Sequence, residues 1–152
     1  EALNRAGCRG LLATNWGGLA DAPLPDHMYR IKDAPHDWLF PRVAAAVHHG
    51  GAGTTAAAMR AGIPSVICPF FGDQPFWAHR ITELGADWDL SLKKKLGSET
   101  LASAIRMVLE DGNIREKAAR LGILIRDEDG VANAVSAIEK VVAKGFETKS
   151  IP

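Results

Sequence analysis

Short apolar runs alternate with longer stretches of helical spacing along the chain. The runs Gly10–Thr14, Met28–Ile31, Ala44–His48, Ser65–Cys68 and Ala86–Leu90 follow turn signals and predict strands. Ala44–His48 and Ser65–Cys68 lack polar alternation, as strands buried on both faces of a parallel sheet do. Helices are expected between them. Glu1–Gly7 reads as the end of one, so the sequence starts within an element and reads as an excerpt of a longer protein. Thr54–Ala61 is Ala-rich and stopped by Gly62-Ile63-Pro64, and Asp73–Leu84 is followed by Gly85 in a capping position. Ser98 is a suitable N-cap for a helix to about Glu110, with Leu101, Ile105, Val108 and Leu109 on one face. Asn113 with Glu116 resembles a capping box, opening a helix that carries Ala118, Leu121, Leu124 and Ile125. Val131, Ala134, Val135, Ile138 and Val142 mark a last amphipathic helix, before a polar tail from Lys144.

The β-α alternation predicts an α/β fold, Rossmann-like, with a mostly parallel sheet flanked by helices. Residues 1–145 form one domain in this reading and 146–152 a tail. In such sheets ligands bind at the carboxyl ends of strands. The composition fits a globular domain, with 47% hydrophobic and 24% charged residues. Eighteen basic residues balance eighteen acidic ones, which argues against nucleic acid as a partner. No apolar run approaches the roughly 20 residues that span a bilayer. Cys8 and Cys68 form neither a disulfide framework nor a zinc spacing, so a reduced, cytoplasmic setting is expected.

The third strand runs through His48-His49-Gly50-Gly51-Ala52-Gly53-Thr54-Thr55 into a helix. Glycines let a backbone approach a ligand, and a helix start offers unpaired N–H groups and a positive dipole end. With His49 and the threonine hydroxyls this makes an anion cradle suited to phosphate. The alternative is a tight strand-to-helix turn with core packing. No Gly-Lys-Ser/Thr follows, so it is not a P-loop. His48 and His49 point to opposite faces of a strand, which disfavours a shared metal ion and leaves His48 packed inside. Asp73 and Gln74 at the end of the next strand could bind adjacent hydroxyls, as of a sugar; Asp73 could equally N-cap the following helix. Ala34-Pro35-His36 could form a flat shelf for a base, while Trp38 and Phe40 read as core.

Four blocks in fixed order, His36–Val43, His48–Thr55, Arg60–Pro64 and Pro69–Gln74, resemble the nucleotide-sugar half of GT-B glycosyltransferases. The resemblance is strongest to the sterol 3-β-glucosyltransferases of fungi and bacteria, and macrolide and glycopeptide glycosyltransferases share much of it. It implies a UDP-sugar site. The segment with Pro35 and His36 would hold the uracil through backbone groups, although Asp33 stands where many relatives have a stacking Trp. His49, Gly51, Gly53 and Thr54 would hold the diphosphate. Ala57 replaces the ribose-binding Glu of many plant relatives. Asp73 and Gln74 would bind the hexose hydroxyls, a role the resemblance favours over the cap.

The implied activity is inverting transfer of glucose from UDP-glucose to a sterol 3-hydroxyl. No metal or cofactor is implied. The catalytic base is a His of the acceptor-binding half, so this chain should carry no catalytic residue and be inactive without that half. The alternatives are a TDP- or UDP-sugar transferase acting on a natural product, or a non-catalytic nucleotide-sugar-binding domain. Peripheral membrane contact in a full-length protein is left open. The domain also normally opens with a strand that this sequence lacks. In a 3-2-1-4-5 order Gly10–Thr14 and Ala44–His48 would then flank a slot about 9–10 Å wide.

Overall fold

A computed structural model describes residues 1–14, 23–89 and 96–143. The elements run α1 (Ala2–Ala6), β1 (Gly10–Ala13), β2 (Met28–Ile31), α2 (His36–Leu39), a 3-10 turn (Phe40–Arg42), β3 (Ala46–His48), α3 (Ala52–Ala61), β4 (Ser65–Ile67), α4 (Gln74–Glu83), β5 (Asp87–Asp89), α5 (Ser98–Glu110), α6 (Gly112–Asp127) and α7 (Gly130–Ala143). All paired strands are parallel. They form a two-stranded sheet, β1–β2, and a three-stranded sheet in the order β3–β4–β5. β1 and β3 share no ladder, as the strand-order argument requires.

β4 is the central strand of its sheet and is buried throughout. Its successive side chains serve opposite layers. Ile67 joins Ala46, Met59, Ile81 and Ala118 under α3, α4 and α6, while Val66 joins Ala2, Ala102, Ile105 and Val108 under α1 and α5. Polar contacts add to the packing of α1 on α5: Arg106 donates to the Arg5 carbonyl at 2.7 Å, and Arg5 to Glu99 at 2.9 Å.

Three helices end alike. At α1, α3 and α4 a left-handed glycine, Gly7, Gly62 or Gly85, donates to the carbonyl three residues back. The next N–H reaches five back, from Cys8 to Leu3, Ile63 to Ala58 and Ala86 to Ile81. These are Schellman motifs, which turn each chain directly toward the following strand.

Several expectations are corrected. β3 starts at Ala46, where its N–H first reaches Pro64, rather than at Ala44. It is not buried on both faces, because Val47 is exposed. α3 starts at Ala52, placing Gly53 and Thr54 inside its first turn. The N-cap of α6 is Asp111, whose carboxylate accepts from the Asn113 and Ile114 N–H groups; Asn113 lies inside the helix. Gly97 holds the N-cap position of α5, with Ser98 its first helical residue, and the Gly97 N–H is met by Thr100 Oγ1. Leu124 faces outward, while Leu121 and Ile125 pack on the core. The α7 helix forms as its periodicity predicts, but none of its residues is buried. The short helix α2 was not expected; Pro35 precedes it in extended conformation and Pro41 sits in the first turn of the 3-10 segment, where its missing N–H costs nothing. Leu90 and the tail lie outside the described residues. Among those described, no helix is long and apolar enough to cross a membrane.

Candidate functional site

The carboxyl ends of β3 and β4 and the start of α2 bring the sequence candidates together. After His48 the chain turns through Gly50 at φ 90°, a left-handed conformation that favours glycine. A Cβ on Gly50 would stand 2.6 Å from the Ile67 side chain and 3.3 Å from the Gln74 carbonyl oxygen. The β3–α3 turn is therefore seated directly against the start of α4.

Gly51 is the N-cap of α3 and has no side chain to cap it. The first N–H groups of the helix are thus left for another acceptor. The His49 ring is exposed and folds back over this turn, so that a Cβ on Gly51 would lie 2.5 Å from its Nε2. A Cβ on Gly53 would meet nothing within 4 Å. Thr54, half-buried, completes the first turn. The result is an uncapped helix start with an imidazole folded over it, an arrangement whose chemistry suits an anion. Behind it the Thr55 hydroxyl is buried without a hydrogen-bond partner among the described residues.

On the neighbouring loop Gln74 is buried. Its Oε1 accepts from the Phe70 and Phe71 N–H groups at 2.8 and 3.1 Å. The amide oxygen thus shapes the loop, and its NH₂ is the part that remains to donate. Asp73 is exposed and makes no side-chain cap bond; its Oδ2 accepts from the Trp77 indole N–H at 2.9 Å. The capping reading of Asp73 is therefore not what the structure adopts.

The third wall is α2. Pro35 and His36 are exposed, and the His36 ring stacks on Phe40 with centroids 4.6 Å apart and planes 9° from parallel. Phe40 is core, as expected, but Trp38 is not. It is exposed and lies under the Arg42 guanidinium, 4.6 Å from its ring centroid. His36 and His49 both act electrostatically on His48, so the three histidines are neighbours. Burial first, then His49 and His36, lowers the pKa of His48 to about 4. His48 and His49 face different surroundings, the first half-buried and bonded to Ser65, the second exposed. Among the described residues no group of three His, Cys, Asp or Glu could hold a metal ion. Cys68, at the end of β4, is pushed up to about 11 by burial and then by Asp87, so it stays a thiol. A shallow concavity lined by Asn4, Cys8, Arg9 and His27 sits at the opposite, amino-terminal ends of β1 and β2.

Sequence reasoning missed the bond from Gly50 to His48. The i to i+2 spacing was its one sequence signal.

Residues 17–139 match the family described as erythromycin biosynthesis protein CIII-like, C-terminal domain. A sterol 3-beta-glucosyltransferase of Arabidopsis thaliana is 43% identical over all of this chain and 24% of its own length. One of Eremothecium gossypii is 46% identical over 94% of this chain and 12% of its own. The chain thus spans a quarter or less of these curated relatives. Among solved structures, the spinosyn rhamnosyltransferase SpnG complexed with thymidine diphosphate superposes with a TM-score of 0.76, at 26% identity, over 91% of this chain and 40% of that one. With the match covering most of its length, the chain belongs to the erythromycin biosynthesis protein CIII-like C-terminal domain family of GT-B glycosyltransferases.

Proposed function

We propose that this chain is the donor-binding part of an inverting glycosyltransferase that moves glucose from UDP-glucose to the 3-hydroxyl of a sterol. The observation that carries the reading is the meeting of three elements at one place. They are the uncapped start of α3 under His49, the Asp73–Gln74 corner of α4, and the Pro35–His36 shelf. Their chemistry suits a diphosphate, a hexose and a base in turn. In this reading a base in the acceptor-binding half takes the sterol hydroxyl proton. The hydroxyl oxygen bonds to the anomeric carbon, and the bond from that carbon to the phosphate oxygen breaks. UDP leaves with the electron pair. His49, the Thr54 hydroxyl and the α3 N–H groups offset its growing charge. The sterol assignment is supported by the relatives that bear that name at over 40% identity.

A second reading, a TDP-sugar donor with a natural-product acceptor, is favoured by the likeness to a rhamnosyltransferase complexed with thymidine diphosphate. Donor competition in the intact protein with a sterol acceptor separates the two. Transfer from UDP-glucose well above that from TDP-glucose is expected. Preference for TDP-glucose, or no transfer to any sterol, would overturn the first reading.

A further inference from the structure

His48 stands one residue before the cradle and has no place in the donor contacts assigned above. Its half-buried ring makes two directed contacts: Nδ1 lies 3.1 Å from the Gly50 backbone nitrogen, and Nε2 lies 3.2 Å from Ser65 Oγ. A backbone N–H can only donate, so Nδ1 is the bare nitrogen. The proton of the neutral ring then sits on Nε2 and points at the Ser65 hydroxyl. Ser65 is fully buried on β4, the central strand of its sheet. Through this ring Gly50, the second residue after β3, is tied to the neighbouring strand.

Gly50 is where that tie matters. It is buried, its φ is 90°, and its backbone is hemmed by Ile67 and by the Gln74 carbonyl. A buried N–H deprived of its acceptor turns toward another one. Any such rotation at Gly50 carries Gly51, the start of α3 and the His49 ring with it. The Gln74 side chain holds the other loop from its own side, through Phe70 and Phe71.

We propose that His48 is a positioning residue of the anion cradle: by accepting from Gly50 and donating to Ser65 it aims the Gly51–Thr54 backbone and the His49 ring at the diphosphate of the donor. It touches no ligand itself. The proposal rests on the donor-binding reading. The low pKa, caused by burial and then by His49 and His36, keeps the ring neutral through the physiological range, so the bare nitrogen persists.

The test uses the intact protein. His48→Phe keeps a flat ring without an acceptor. His48→Asn supplies an oxygen that can take the N–H two residues on, as in an Asx turn, without reaching Ser65. UDP and uridine binding are measured by calorimetry, and the ring tautomer by ¹⁵N NMR without nucleotide. In His48→Phe, UDP affinity should fall about tenfold, with uridine held within about twofold. His48→Asn should recover most of the loss, and the spectrum should show a bare Nδ1. Equal losses for UDP and uridine, no rescue by Asn, or a protonated Nδ1 would overturn the assignment. If His48→Phe does not fold, UDP affinity in His48→Asn and the tautomer decide. A wild-type protein that binds no UDP while showing the bare Nδ1 would overturn the donor reading, and the positioning role with it.

Discussion

The Asp73 carboxylate is held by the Trp77 indole, one turn along the same helix, and not by the helix end it precedes. One oxygen is thereby fixed, and the residue is exposed. Asp73→Asn keeps an acceptor for Trp77, and the position is exposed. Stability should stay within about 0.5 kcal/mol of wild type. UDP affinity should be unchanged. UDP-glucose turnover in the intact protein should fall by about tenfold, because a hydrogen bond to a charged oxygen is weakened. A lowered melting temperature with normal turnover would return Asp73 to a structural role.

His49 and Gly51 form a unit. The ring lies where a Cβ on residue 51 would go, so Gly51→Ala must push it aside. Each of His49→Ala and Gly51→Ala should weaken UDP more than uridine. The double variant should be little worse than His49→Ala, since the ring that Gly51→Ala displaces is already gone. A double-mutant cycle by calorimetry measures the coupling, expected at about 1 kcal/mol or more. Additive losses would mean that Gly51 acts independently of His49.

Much of the fold was legible because local rules and packing agreed. Met28–Ile31 is legible to the residue, and the Ser98–Glu110 helix to within one, since Ser98 is its first helical residue and Gly97 its cap. Their signals, a short β-rich run and a one-sided apolar spacing, depend on no distant partner. The capping of α6 was misplaced because Asp111 and Asn113 are both good caps, and only the geometry of the turn selects between them. α2 escaped notice because its one turn is held by Pro35 and by the His36–Phe40 and Trp38–Arg42 stacks, which composition does not announce. In the site, the glycines and His49 were visible as a cluster. The hold of Gln74 on Phe70 and Phe71 was not. The role of His48 was not visible either, because it needs Ser65 from another strand.

His48 should also shape the response to acid. Burial, then His49 and His36, lowers its pKa from 6.5 to about 4. Between those values the unfolded chain takes up a proton that the folded one refuses. Its contribution is therefore fully present above about pH 6.5 and lost as pH falls toward 4. The shift corresponds to roughly 3 kcal/mol at most, less what solvent contact of the half-buried ring removes. Urea unfolding of wild type and His48→Phe across this range should give stability curves that converge as pH falls. Parallel curves would mean that the ring titrates normally in the fold.

The last prediction concerns two glycines with opposite expected signs. Gly122 is buried within α6 where that helix crosses the end of α3. A Cβ there would stand 2.7 Å from the Gly62 Cα and 2.9 Å from both the Gly62 nitrogen and the Met59 carbonyl oxygen. All three are backbone atoms, so no side chain can rotate away. Glycine inside a helix ordinarily costs about 1 kcal/mol relative to alanine. At Gly122 overpacking should outweigh that gain, and Gly122→Ala should destabilise by about 1–2 kcal/mol net. Gly112, at the start of the same helix, has nothing within 4 Å of its Cβ position and no positive φ. Gly112→Ala should be neutral or stabilise by up to about 1 kcal/mol. Urea unfolding of both variants decides the matter. UDP affinity should change little in either, because the α3 end that Gly122 abuts is a helix length from the cradle. A stabilised Gly122→Ala would show that the two helices can part without cost, and that the glycine is not what sets their distance.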